Sequence, residues 1–334
     1  MNRSSIRLKW QFLTSIMLLH FACETHADAL TDHDNGPLTG IFGFPDSTEG
    51  SEVIGHRLHA WDSSLIIASH NIDEAGGGES LRLDGETSRL AFTYRYGVSD
   101  KLEIGIEAPY VWHQAGFLDS IIDGWHDFFG LPDGPRGMRE QDQLEIFYAD
   151  SQATLIDANS DVSGIGDIRI LAGWLLTGKN GSSTALRLSF KLPTGDSNKL
   201  LGSGGADVSF GLAHDAADFW GKTKLSAFYR ANVTRLGKPD RLADRYNDFV
   251  GQLSFGLGYQ VHRNVDLRLQ SRIRSAVYDS EIANLGAASV SLTFGASFHL
   301  SDRYRLLLSV GEDVKPDSAP DVTFQIALRY SGRK

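Results

Sequence analysis

From Leu58 to Tyr330 the chain alternates apolar and polar residues at period two, in runs of ten residues and more. Leu90, Phe92, Tyr94 and Tyr96 share one face of such a run, and Arg89, Ala91, Thr93 and Arg95 share the other. The tight turn Gly97-Val98-Ser99-Asp100 follows, and the chain returns with Leu102, Ile104, Ile106, Ala108 and Tyr110 set against Glu103, Gly105, Glu107 and Pro109. Period two is the signature of a half-buried strand, and a turn joining two runs in this phase places both apolar sets on one side. Length then narrows the choice. Strands of soluble sandwiches run about five or six residues, whereas a tilted membrane-crossing strand needs about 9–11. Apolar runs of the roughly 18 residues that a membrane helix requires are absent from the sequence. The expected fold is all-β: a transmembrane antiparallel up-and-down β-barrel.

Strand counting tests the idea internally. Candidate strands fall at 58–69, 87–97, 102–112, 167–177, 183–192, 206–214, 223–233, 249–261, 266–278, 287–300, 304–311 and 321–330, which makes about 12. Connections 98–101, 178–182, 215–222, 262–265 and 301–303 are short. Those in between, 70–86, 113–166, 193–205, 234–248, 279–286 and 312–320, are mostly longer and richer in Gly, Asp and Pro. Short periplasmic turns alternating with longer external loops are the rule for such barrels. Within 113–166, the stretch 143–157 reads as a hairpin turning at Asp150-Ser151. Phe117, Leu118, Ile121, Ile122, Trp125, Phe128 and Phe129 recur at helical spacing until Gly130 and Pro132 stop them. The long external loop is therefore expected to hold a short helix and a hairpin.

Arg3, Arg7 and Lys9 precede an apolar stretch from Trp10 to Ala22, with small residues at Thr25 and Ala27, which is the pattern of a secretory signal cleaved after Ala27. The resulting division is a signal peptide at 1–27, a periplasmic or plug segment at 28–57, and the barrel at 58–334. Cleavage takes the sole cysteine, Cys23. It also takes three of the 32 basic groups and one of the 42 acidic ones, leaving −12. So acidic a chain is not expected to bind nucleic acid.

Alternation also assigns the inward faces. Twelve basic residues point inward: Arg89, Arg95, Arg169, Arg187, Lys191, Lys224, Arg230, Arg268, Arg272, Arg274, Arg305 and Arg329. Five acids do so: Glu103, Glu107, Asp167, Asp207 and Asp266. Arg268, Gln270, Arg272 and Arg274 form a ladder on one strand. A net basic lumen favours anions, so anionic small solutes are the expected cargo. Outer-membrane lipid and the barrel-assembly machinery are the other expected partners.

The segments Asn35-Gly36-Pro37-Leu38 and Ile41-Phe42-Gly43-Phe44-Pro45, and the loop Trp125-His126-Asp127-Phe128-Phe129-Gly130-Leu131-Pro132-Asp133-Gly134-Pro135-Arg136, resemble an uncharacterised proteobacterial family. Its members carry a Phe-His-x-x-Phe-Gly-Leu-Pro loop and are grouped with outer-membrane β-barrels as a domain of unknown function. Trp125 stands where the family usually has Phe. The loop signature is thus Trp125, His126, Phe129, Gly130, Leu131, Pro132 and Arg136. The resemblance implies an outer-membrane location and a barrel fold, but no reaction.

Signals for catalysis, metals and cofactors are weak. His299-Leu300-Ser301 has the spacing of a lipid hydrolase pair but lies at an expected periplasmic turn. Asp157-Ala158-Asn159-Ser160-Asp161 begins like a calcium loop, yet Ile168 stands where the twelfth position needs Glu. His56 and His59 form no metal set, and Gly202-Ser203-Gly204-Gly205 lacks the Gly-Lys-Ser/Thr of a phosphate loop. The reading is a passive, transport-like outer-membrane channel and not an enzyme, with no cofactor. A structural or surface-binding barrel with a blocked lumen is the alternative, and a lipid hydrolase comes last.

Overall fold

The structure is a computed structural model that describes residues 29–118, 143–179, 181–217, 224–314 and 322–332. The expected signal peptide, the loop signature from Trp125 to Arg136 and all of the expected helix beyond Leu118 lie outside the described residues. Among the described residues, fifteen strands form one antiparallel sheet. They are β1 (His59–Gly76), β2 (Glu79–Gly97), β3 (Leu102–Gln114), β4 (Glu145–Ala149), β5 (Thr154–Ala158), β6 (Val162–Ile165), β7 (Arg169–Lys179) and β8 (Ser182–Lys191). There follow β9 (Asp207–Ala216), β10 (Leu225–Arg235), β11 (Phe249–His262), β12 (Val265–Arg274), β13 (Ser289–His299), β14 (Tyr304–Asp313) and β15 (Val322–Ser331). Among the described residues a short 3-10 turn lies at Ser197–Lys199, and a short helical turn, α1 (Ala283–Gly286), precedes β13.

The sheet closes on itself. β1 pairs with β15, Ala60 lying opposite Ser331 and Ser69 opposite Val322. β6 and β7 both pair with β3, one after the other, and so form one stave interrupted at residues 166–168. With the β4–β5 hairpin set aside as an addition to the upper part of β2, the closed barrel has twelve staves. The alternation seen in the sequence decides which way each side chain points. On β11, Phe255 is 53% exposed while its neighbour Ser254 is 2% exposed. Leu90, Phe92, Ile104, Trp174, Phe210, Leu257 and Phe294 join Phe255 on the outer surface. A continuous apolar exterior of this kind suits lipid and not water. At the short-turn end Trp61 stacks on Tyr330 at 5.9 Å, and Tyr304 lies 5.2 Å from Tyr330, a local aromatic belt.

One expectation is corrected. Residues 70–86 are not an external loop, because β1 and β2 stay paired up to Gly76 opposite Glu79. Gly77 and Gly78 close them at φ of +58° and +82°, the doubly left-handed turn that matches strand twist. The Gly and acidic content of this stretch concealed a hairpin that rises beyond the apolar band. The expected hairpin at 143–157 is present as β4 and β5, and β4 pairs Ser80–Asp84 of the rising β2.

Candidate functional site

The site is the lumen and the N-terminal segment that occupies it. Residues 29–47 are almost entirely buried, although they belong to no strand. Leu30 meets Leu307 and Ala327 on the inner wall, and Ala29 O accepts from Arg329 at 2.9 Å near the short-turn end. The chain then rises beside β12: Gln270 bonds the amide and carbonyl of Leu30, Arg272 pairs with Asp32, and Arg274 pairs with Asp34. A helical turn, Gly40 N–H to Gly36 O at 2.7 Å, reverses it. At that tip Leu38, Ile41, Phe42 and Phe44 enter an apolar cluster with Ile72, Leu81 and Leu83 of the rising hairpin, Ile146 and Tyr148 of β4, and Val277, Tyr278 and Ile282 before β13. The segment then descends. Gly43 N–H donates to Asp207, and Phe44 O accepts from Arg169. Lower down, Gly50 O accepts from Arg187, and the amide of Ile54 donates to Glu103 beside the Gly97 turn.

Basic wall residues grip this segment mainly by its backbone, since a guanidinium offers several donors in a fixed fork. Of the expected lumen set, Arg187 holds Gly50 O at 2.6 Å and Glu52 O at 2.8 Å and pairs with Glu103. Lys191 donates to Ile41 O and Ser203, pairs with Asp167, and lies 3.3 Å from Asp207. Arg89 pairs with Glu107, Arg268 with Asp266 at 3.3 Å, and the half-buried Arg95 with Glu103 at 3.5 Å. Arg274 also lies 5.1 Å over the Phe44 ring. Arg89, Arg95, Arg187, Lys191, Arg268, Arg272 and Arg274 therefore all face inward, as does Arg169, which bridges Glu107 and Glu49. Lys224 differs: it is exposed at a strand end.

With the segment in place, the field that an arginine-rich wall presents is taken up locally by carboxylates. Counting wall residues alone could not supply Asp32, Asp34 and Glu49, which come from the segment, and it omitted Asp62 and Asp215, which pair with Arg329 and Arg230. One signal was available. Asp32-His33-Asp34 repeats the i, i+2 spacing of Arg272-Ile273-Arg274. Two recesses hold about 90 Å³ at the short-turn end between Trp61, Arg95, Arg230 and Tyr330, and about 30 Å³ between Glu49, Asp62 and Arg187.

Above the apolar band, Glu79 accepts from Tyr148 at 2.7 Å, from Ser280 at 2.6 Å and from the Glu281 amide at 2.9 Å, and it pairs with Arg245. Burial alone raises its pKa. The three hydrogen bonds and the guanidinium outweigh burial and hold it below the ordinary carboxylate value. Burial, and then the bond to Glu79, push the Tyr148 hydroxyl up. Arg245 extends the network to Asp150 in the β4–β5 turn at 2.9 Å.

The remaining sequence motifs do not assemble. His299 Nε2 bonds Asp266 at 2.7 Å, while Ser301 Oγ accepts turn amides from Arg303 and Tyr304. His56 bonds Val98 O, and His59 stacks on Tyr330. Asp157 lies opposite Phe147 in the β4–β5 hairpin.

A family model described as a protein of unknown function, DUF3187, matches residues 35–331. Curated proteins show no match to the chain. The crystal structure of the COG4313 outer membrane channel from Pseudomonas putida F1 is similar at a TM-score of 0.55 and 14% identity, covering 87% of this chain and 99% of that one. The toluene transporter TbuX of Ralstonia pickettii reaches 0.44 at 12% identity, over 92% of this chain and 97% of its own. The NanC porin reaches 0.43 at 9%, over 83% and 100%. These last two are too distant in shape to carry an argument. The likeness to the first is one of fold, that of an outer-membrane channel.

Proposed function

The chain belongs to the DUF3187 family, and from that premise we propose that it is a passive outer-membrane channel, closed in this conformation by its own N-terminal segment. On this reading the first 27 residues direct export, the barrel-assembly machinery inserts the chain, and outer-membrane lipid covers the apolar exterior. The observation that carries the proposal is the kind of contact between segment and wall. Eight staves enclose little more than their own side chains, whereas sixteen leave a water channel. Twelve leave room, and here a separate, two-pass segment takes it up. Below its apolar tip, that segment is held by hydrogen bonds and ion pairs to Arg169, Arg187, Arg272 and Arg274. A wall so polar is suited to water and solutes once the segment leaves. A permanently sealed barrel is better served by apolar filling, because buried ion pairs add little net stability.

Departure of the segment removes Asp32, Asp34 and Glu49 and leaves the wall basic, so the open pore prefers anions. Planar-bilayer recording tests this. The full chain is expected to show rare openings, and a variant lacking residues 29–54 steady conductance with an anion-preferring reversal potential. Cation preference, or silence from the folded deletion variant, overturns the proposal. The second reading, a structural barrel, rests on the apolar cluster that binds Leu38, Phe42 and Phe44 to the outer mouth. Silence of the deletion variant favours it.

A further inference from the structure

The wall cations divide into two groups. Arg89, Arg95, Arg169, Arg187, Lys191, Arg230, Arg268 and Arg329 each form a salt bridge with a carboxylate on the barrel itself or, for Lys191, with Asp167 and Asp207 at its outer end. Arg272 and Arg274 are different. Their salt bridges go to Asp32 and Asp34 of the N-terminal segment. These two arginines continue a track that starts with Gln270, three inward positions at successive i, i+2 steps on β12, about 7 Å apart. Residues 30, 32 and 34 run along it in the same direction and nearly the same rise.

The track reads peptide chemistry. Gln270 Oε1 accepts the Leu30 amide at 3.0 Å and its Nε2 donates to the Leu30 carbonyl at 3.2 Å, a two-point grip on one residue's backbone. Arg272 Nη1 donates to the Asp32 carbonyl at 2.8 Å and meets its carboxylate at 3.2 Å. Below the track Arg329 takes the carbonyl of Ala29. Arg274 is 4% exposed, yet its Nε meets no acceptor, so the track holds more donor capacity than the resident segment uses. None of these contacts involves the Thr31 or His33 side chains. Any extended peptide with carboxylates two residues apart offers the same groups.

The geometry points to Gln270, Arg272 and Arg274 as a binding track for short, extended acidic peptides of Asp-x-Asp type, with residues 30–34 as its resident occupant. This rests on the reading that the segment can leave the lumen. A solute bearing such a peptide competes for the track directly, because the charge left by the departing Asp32 and Asp34 is the charge that it would neutralise.

The test uses the full chain carrying D32N and D34N, which weakens the resident occupant and leaves the wall intact. A fluorescein-labelled peptide of residues 29–35 is titrated in detergent and followed by anisotropy. Saturable binding is expected, at least tenfold weaker for the peptide with Asn in both Asp positions, and lost when R272Q and R274Q are added to the protein. Equal binding of the two peptides, binding that survives R272Q and R274Q, or no saturable binding to protein with folded gel migration overturns the assignment. So does an oligo-uronate of equal charge that binds as tightly, which would place the specificity in charge and not in peptide backbone. Should the double variant fail to fold, D34N alone, against D34N with R274Q, makes the same comparison. Conductance of the same preparation separates the two ideas. Peptide binding without conductance keeps the track and sinks the channel, and conductance without binding does the reverse.

Discussion

Arg169, the first residue of β7, holds Glu49 of the N-terminal segment at 2.8 Å and, with the same Nη2, Glu107 of β3 at 2.9 Å. One guanidinium thus ties wall to wall and wall to occupant, and its Nη1 also donates to Phe44 O. The two partners should respond differently to mutation. Arg169→Ala leaves Glu49 without its partner and a buried carbonyl unpaired, a loss of about 3–5 kcal/mol for breaking a buried pair. Glu49→Gln keeps an acceptor and costs on the order of 1 kcal/mol. Heat-modifiable gel migration should show R169A unfolding at clearly lower temperature than E49Q. E49Q should instead increase the opening frequency in bilayers.

The apolar tip sets the second contribution. Phe42 is 2% exposed, with Phe44 at 6.0 Å and Tyr278 at 5.9 Å between ring centroids. Phe42→Ala should cost about 3–5 kcal/mol through lost burial and the cavity left behind. The barrel wall does not depend on Phe42, so the cost should fall on the segment. Far-UV circular dichroism should stay unchanged while a Glu-specific protease cleaves the segment faster after Glu49 and Glu52. Loss of β signal would place Phe42 in the folding core of the barrel instead.

The wall was legible because a sheet closed into a barrel, with one face in and one face out, enforces period two. Each of Leu90, Phe92, Ile104 and Phe294 must face out, and the residues between must face in. Where β1 and β2 rise past the apolar band, that rule lapses: Asn71 and Asp84 are buried beside Ile72 and Leu83, and the stretch reads as a loop. The ladder on β12 was legible by the same alternation. Its partners were not, because a backbone carbonyl such as Gly50 O leaves no mark in a sequence. The bond from Arg187 to that atom depends on a chain reversal at Gly36–Gly40 that the sequence pattern does not specify.

Acid should loosen the outer network before the barrel. The folded pKa of Glu79 lies below its ordinary value of 4.5, so its contribution is fully present above that value. It is lost as pH falls through the lower, folded value. Between pH 7 and 5 the thermal stability of the β4–β5 hairpin, read from a spin label at Gln152, should be flat, and it should fall on further acidification. Glu79→Gln should start lower and show little dependence on pH. An unchanged acid response in E79Q would assign the loss to other carboxylates.

The alternation on β11 gives the most direct test of what surrounds the barrel. Phe255 and Ser254 are neighbours in the middle of one strand, yet one is 53% exposed and the other 2%. If lipid covers the exterior, Phe255→Arg places a charge near the bilayer midplane and costs about 2–4 kcal/mol. If water covered it, the same change on an exposed strand would cost within about 0.5 kcal/mol. Ser254→Ala serves as the inward control. The Ser254 hydroxyl is buried and finds no hydrogen-bond partner, so removing it should be neutral or slightly stabilising in either surrounding. Refolding titrations into phospholipid vesicles measure both. A large loss for F255R with none for S254A fixes lipid on the outside, and equal, small effects would make the barrel a water-facing one.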